Sequence, residues 1–208
     1  GYERMTFELS DALEEQNELV LRVRDGLRDK TQPYGKQTMR RGGMWYTPVS
    51  GIWQTVWLES VPREYVHALR IRADDCRAEI DTGDPSLCGE LRVTTPQGEI
   101  CCPLVGGKAV VEPEHPSRWS PEHPYLYHFV LTAGQDRVES YFALRRLEIR
   151  RLDGIARLCL NGRPYFFHGV LDQGYYSDGL FTPADPSCYE RDILTMKSLG
   201  FNTLRKHI

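Results

Sequence analysis

No run of eighteen apolar residues occurs in the chain, which excludes a transmembrane helix of ordinary length. Basic charge is not in excess either. The 26 Lys and Arg against 29 Asp and Glu leave a net charge of -3, so no positive field exists to draw in nucleic acid. The six cysteines, Cys76, Cys88, Cys101, Cys102, Cys159 and Cys188, contain no C-x-x-C pair. An even count does not by itself make a disulfide framework, and the expectation is reduced, partly buried thiols in a reducing compartment, which tilts localisation toward the cytoplasm. The six histidines are scattered, and the nearest group, His115, His123 and His128, lacks the Cys or Asp spacing of a metal site. No metal and no cofactor is expected. Gly1-Tyr2-Glu3-Arg4 does not begin a signal peptide, and the missing methionine leaves open an excerpt of a longer protein.

Short alternating segments are abundant. Met5-Thr6-Phe7-Glu8-Leu9 and Glu18-Leu19-Val20-Leu21-Arg22-Val23-Arg24 place apolar side chains on one face in the manner of strands. Polar residues and glycines from Arg28 to Gly43 predict a long loop, of the kind that is usually functional or packed against a neighbour. The next stretch, GGMWYTPVSGIWQTVWLE from Gly42 to Glu59, carries three tryptophans and a tyrosine. Read as a strand from Ile52, it puts Ile52, Gln54, Val56 and Leu58 on one face and Trp53, Thr55, Trp57 and Glu59 on the other. Apolar residues on both faces predict packing between layers for Trp53 and Trp57, leaving Trp45 and Tyr46 on the preceding loop.

After Val61-Pro62 the rhythm becomes one turn every eight to twelve residues or so, as in a β-sandwich. Strands are predicted over 66–73, 76–81, 89–94, 100–104, 108–111, 126–132 and 137–144, interrupted by the proline-rich EPEHPSRWSPEHP, which predicts a rigid extended connection. Asn161-Gly162 predicts a hairpin turn, and the apolar run 165–171 predicts a buried strand. Asp185-Pro186 is a helix start, Tyr189, Ile193, Met196 and Leu199 recur at helical spacing, and Gly200 is a helix stop. Residues 201–208 follow as a strand, giving a βαβ unit and the beginning of a parallel sheet.

Three ordered stretches resemble glycoside hydrolase family 2, the β-galactosidase and β-glucuronidase group. WYTPVSGIWQTVWLESVP is similar to the end of its N-terminal jelly-roll. RWSPEHPYLY with SYFALRRLEI is similar to its immunoglobulin-like domain, and LNGRPYFFHGVLDQGYY with DILTMKSLGFNTLRKHI to the opening of its (β/α)₈ barrel. The resemblance implies a mainly β chain in three parts: a partial jelly-roll β-sandwich over 1–61, an immunoglobulin-like β-sandwich over 62–146 and the βαβ start of a TIM barrel over 147–208. It implies a retaining β-glycosidase acting on a carbohydrate substrate, with no nucleic acid or membrane partner. Relatives commonly oligomerise, which implies a homo-oligomeric parent of unfixed number.

Retention requires two carboxyl groups about 5–5.5 Å apart, which the resemblance assigns to glutamates on later barrel strands. Both would lie beyond residue 208, so the chain itself is expected to be inactive and no catalytic residue is nominated. Substrate contacts are expected at the C-terminal ends of the barrel strands: Asp172 and Gln173 after the first, Arg205 and His207 at the end of the second. Arg205 matches the resemblance directly, whereas His207 stands one residue closer to the arginine. The alternatives are an Arg205 paired with barrel carboxylates and a His207 packed within its strand. Two departures put galactosidase and glucuronidase activity in doubt: Gln173-Gly174 where galactosidases often have His-Glu, and Trp45 where an aspartate is expected. An indole there replaces an acceptor for sugar hydroxyls with a stacking surface. Tyr175, Tyr176 and Phe181 either line a sugar subsite or cover the barrel rim. The competing class is a non-catalytic carbohydrate-binding sandwich that stacks sugars on Trp45, Tyr46, Trp53 and Trp57.

Overall fold

The computed structural model describes residues 4–26, 31, 35–52 and 54–207. The chain divides into two compact units, one spanning Leu58–Phe167 and the other formed by Gly1–Trp57 with His168–Ile208.

The first unit is antiparallel. Its strands are β1 (Arg70–Ala73), β2 (Ala78–Asp81), β3 (Gly89–Thr95), β4 (Gly98–Leu104), β5 (Lys108–Val111), β6 (Tyr127–Ala133) and β7 (Asp136–Phe142). They form a three-stranded sheet of order β1-β2-β5 and a four-stranded sheet of order β4-β3-β6-β7. All seven strands predicted between residues 66 and 144 are present, with ends shifted by a few residues. Alternation does the sorting: Tyr127, Phe129, Leu131 and Ala133 of β6 are buried, as are Leu91 and Val93 of β3, and they share one core with Ala78, Ile80, Ala109 and Val111 of the smaller sheet. A side-chain period of two separates even adjacent cysteines, so Cys101 is exposed and Cys102 buried. Tyr127 stacks on Phe142 with ring centroids 5.1 Å apart. Its hydroxyl accepts the Ser117 N–H at 2.6 Å, tying the proline-rich connection to the core.

A third antiparallel sheet in the same unit is β10-β9-β8, from β8 (Leu147–Leu152), β9 (Ile155–Leu160) and β10 (Arg163–Pro164). Both of its turns have positive φ at two successive residues, 53° and 79° at Asp153-Gly154 and 51° and 80° at Asn161-Gly162, as tight hairpins require. The Asn161-Gly162 hairpin was expected from the sequence; β8 and the Asp153-Gly154 turn were not, although Asp-Gly is the same signal. Asn161 also anchors the sheet. Its Oδ1 accepts the Arg146 N–H at 3.0 Å, and its Nδ2 donates to the Trp119 carbonyl at 3.0 Å.

The second unit contains β11 (Gly169–Asp172), α1 (Ser187–Ser198) and β12 (Thr203–Lys206), with β11 and β12 parallel. This is the expected βαβ order. Asp185 caps the helix as predicted: its carboxylate accepts the Ser187 N–H at 2.9 Å and the Ser187 hydroxyl at 2.6 Å. Gly200, at φ 90°, closes it. Its N–H donates to the Lys197 carbonyl and that of Phe201 to the Met196 carbonyl, the paired bonds of a Schellman stop. The run 165–171 is a strand only from Gly169, and Phe166 is 81% exposed.

The N-terminal expectations fare differently. Among the described residues before β1 the only regular element is a 3-10 turn at Ser10–Ala12, so 5–9, 18–24 and 54–59 are not strands. Alternation alone does not make a strand: the ladder hydrogen bonds need a partner, and among the described residues none pairs with these segments. Trp57 is exposed, with the Arg4 guanidinium 5.2 Å from its ring centroid, so it is not sandwiched between layers. Trp53 and part of the predicted 28–43 loop lie outside the described residues.

Leu131 is fully buried at the centre of the two-sheet core. Leu131→Ala is expected to cost about 3 kcal/mol, and Tyr127→Phe about 1 kcal/mol through the orphaned Ser117 N–H. Urea unfolding with unchanged m-values measures both.

Candidate functional site at the ends of β11 and β12

Parallel register sets the site. Leu171 lies opposite Arg205 and Asp172 opposite Lys206. The pairing continues one residue further, where the His207 N–H donates to the Asp172 carbonyl at 2.8 Å. Close approach of the two backbones begins at Gly169, where a Cβ would lie 2.7 Å from the Thr203 carbonyl oxygen.

At the far end Lys206 Nζ donates to Asp172 Oδ2 at 2.7 Å. Asp172 Oδ1 accepts the Gly174 N–H at 2.8 Å, bending the chain into the turn that carries Gln173. The ammonium also lies 5.6 Å from the Tyr176 ring centroid and 5.8 Å from that of Tyr189 in α1, within cation–π range. Tyr176 and Tyr189 meet edge to face, and Tyr176 Oη is 3.4 Å from Asp192 Oδ2. The hydrogen bond from Lys206 is the main cause holding the Asp172 carboxyl below the ordinary carboxylate range, against a smaller opposing effect of burial. Burial pulls the Lys206 ammonium down, but Asp172 outweighs it and the net shift is upward.

The five sequence candidates therefore separate by face. Asp172 and Lys206 lie on the side that carries α1. Alternation turns Arg205, with Leu171, to the opposite side, and the continued ladder bond takes His207 there too. Gln173 is exposed on the turn. Trp45 lies on another segment, held as a tight turn by its reciprocal backbone bonds with Gly42, and is 41% exposed. Its neighbour Tyr46 stacks on Tyr175 at 4.8 Å, and Tyr175 Oη donates to the Thr47 carbonyl at 3.3 Å. Tyr175 thus joins the 45–47 segment to the 173–176 turn. Lys206 was missed from the sequence, although it is one residue past Arg205 and opposite in charge to an aspartate at the matching strand end.

Two other clusters are engaged in local ion pairs and turns. Asp74, Asp75 and Cys76 converge, but Asp75 is held by Arg118 at 3.4 Å and Arg146 at 2.5 Å, and Asp74 Oδ1 accepts the Cys76 and Arg77 N–H groups in the β1–β2 turn. The depression over Glu90, Arg92, Glu99 and Arg137 on the outer face of the four-stranded sheet is crossed by ion pairs from Arg92 to Glu90 and Glu99.

Fold and site together define a β-rich modular chain, in which an antiparallel two-sheet core precedes a βαβ unit. Residues 86–145 match the family model of glycosyl hydrolases family 2, and the resemblance seen in the sequence is thereby borne out. Solved structures of similar fold include the Faecalibacterium prausnitzii β-glucuronidase (23% identity, 70% of this chain and 24% of that one, TM-score 0.58). An uncultured Clostridium sp. β-glucuronidase (20%, 69% and 25%, TM-score 0.55) and the Dictyoglomus thermophilum β-D-glucuronidase (16%, 69% and 25%, TM-score 0.56) are also similar. The chain spans about a quarter of the length of these proteins. No curated protein matches it. No helix among the described residues is long and apolar enough to cross a membrane.

The pH dependence of the Asp172–Lys206 pair follows from the two shifts. Asp172 has a lowered carboxyl pKa, so its stabilisation is present above the unfolded value of about 3.9 and is lost as pH falls through the lowered folded value. Lys206 has a raised pKa, so its share is present below about 10.4 and is lost as pH rises through the folded value. Urea melts of Asp172→Asn against the native chain are expected to differ by less than about 1 kcal/mol at pH 7, with the difference shrinking in strong acid and in salt.

Proposed function

We propose that the chain is part of a retaining β-glycosidase of family 2 that hydrolyses O-glycosyl bonds. In this reading residues 1–61 belong to a jelly-roll, 62–146 to an immunoglobulin-like sandwich and 147–208 to the first strands and helix of a (β/α)₈ barrel. The observation that carries the proposal is the family match over 86–145 followed, in the family's order, by a parallel βαβ unit. In barrels of this class, chemistry sits where strands end, and it is there that Arg205, His207 and Gln173 emerge.

These three residues are proposed to contact sugar hydroxyls, with Trp45 as a stacking surface beside them. Arg205 offers five N–H donors in a fixed fork, and a neutral His207 one donor and one acceptor. Asp172 belongs to the same subsite, its carboxylate committed to Lys206 and Gly174. Catalysis itself needs a carboxyl pair at the spacing given above, and Asp172 faces a lysine instead of a second acid. The substrate is a carbohydrate and the whole enzyme is a homo-oligomer, as the family implies; nucleic acid and membrane are not partners. The non-catalytic alternative, a sandwich stacking sugars on Trp45, Tyr46, Trp53 and Trp57, keeps Trp45 and Trp57 as exposed aromatics, whereas Tyr46 is already stacked on Tyr175 and Trp53 lies outside the described residues.

A panel of nitrophenyl β-glycosides assayed with the protein encoded by the complete gene tests the proposal. Turnover of at least one, with Arg205→Ala lowering kcat/KM by about tenfold or more, is the expected outcome. Sugar binding without turnover of any of the panel would favour the binding module.

A further inference from the structure

Lys206, though about half of its side chain remains exposed at 51%, is contacted by an acid and two aromatic rings at this strand end. Asp172 of β11 lies in front of it. Tyr176 of the following turn and Tyr189 of α1 present ring faces to it, and Asp192 of α1 reaches the same Tyr176 hydroxyl. Gly174 leaves the space it occupies: a Cβ there would stand 2.3 Å from Nζ and 2.6 Å from Cε, and its φ of 61° disfavours any other residue. The Asp172 carboxylate in turn has both oxygens occupied, one by the ammonium and one by the Gly174 N–H.

We infer that Lys206 is a positioning residue for the sugar subsite, acting through Asp172 to hold the Gln173–Gly174 turn closed while Arg205 and His207 face the substrate from the other side of the strand. The inference rests on the glycosidase reading for what is positioned, but the pair itself does not. An Asp172 carboxylate free of the ammonium would rotate away from the Gly174 N–H, and the turn carrying Gln173 would lose the bond that fixes it. Tyr175 follows Gly174 directly, so its stack on Tyr46 and its bond to the Thr47 carbonyl extend the same constraint toward Trp45. Asp172 thus shapes the subsite without itself touching sugar.

Two readouts test this. In the 208-residue chain, carbon-detected NMR titration of the Asp172 carboxyl is expected to give a midpoint below the ordinary carboxylate value, with the Gly174 amide shift following the same curve. Lys206→Met should return that midpoint to the ordinary range, Lys206→Arg should retain the depression, and Gly174→Ala should abolish it while keeping both charges. In the protein from the complete gene, Lys206→Met and Gly174→Ala are expected to raise KM by about tenfold with kcat within about twofold, and Lys206→Arg to restore most of the loss. An ordinary Asp172 midpoint in the native chain, or an unchanged KM in Lys206→Met, would overturn the inference. Absence of turnover with every glycoside would overturn the glycosidase reading instead, leaving the NMR arm to decide the pair.

Discussion

The close parallel approach of two backbones at Gly169 and Thr203 is the constraint on which the candidate site depends. With no Cβ at Gly169, β11 lies against β12 in a register that places Asp172 beside Lys206 three residues later. Any shift of one residue would exchange the faces of every side chain after it. Arg205 would then meet the helix side and Lys206 the opposite one. The helix contributes to the same register from its two ends, since the Asp185 cap and the Gly200 stop fix its length and hence where Thr203 enters the sheet.

The antiparallel unit solves a different problem. Its core is made by alternation across two sheets, and the polar connections are tied in by single side chains: Tyr127 holds the proline-rich segment and Asn161 the neighbouring sheet. Asp75, between Arg118 and Arg146, adds an ion-paired clamp in the same region. These are the places where backbone leaves the ladders and needs other partners for its N–H and C=O groups.

How much of this is legible in the sequence depends on whether the signal is local. The sandwich strands, the Asn161-Gly162 turn, the helix with both its ends and the βαβ order are written in turn residues and short-range periodicity. The same periodicity fails for 5–9, 18–24 and 54–59, because a strand exists only with a partner and pairing is non-local. Trp57 shows the consequence: an apolar pattern on both faces suggested burial between layers, and the side chain is exposed, with the Arg4 guanidinium over its ring. For the site, Arg205, His207, Gln173 and Asp172 were legible as strand-end residues. Lys206 was not, since its importance comes from a partner 34 residues earlier and from a glycine that leaves room for it.

The most direct test of the account is a structure of the complete protein with a bound β-glycoside analogue. The account predicts the sugar on the Arg205, His207 and Gln173 side, with Lys206 still on Asp172 and beside Tyr176 and Tyr189. A sugar hydroxyl bonded to the Asp172 carboxylate, with Lys206 turned away from it, would contradict the account.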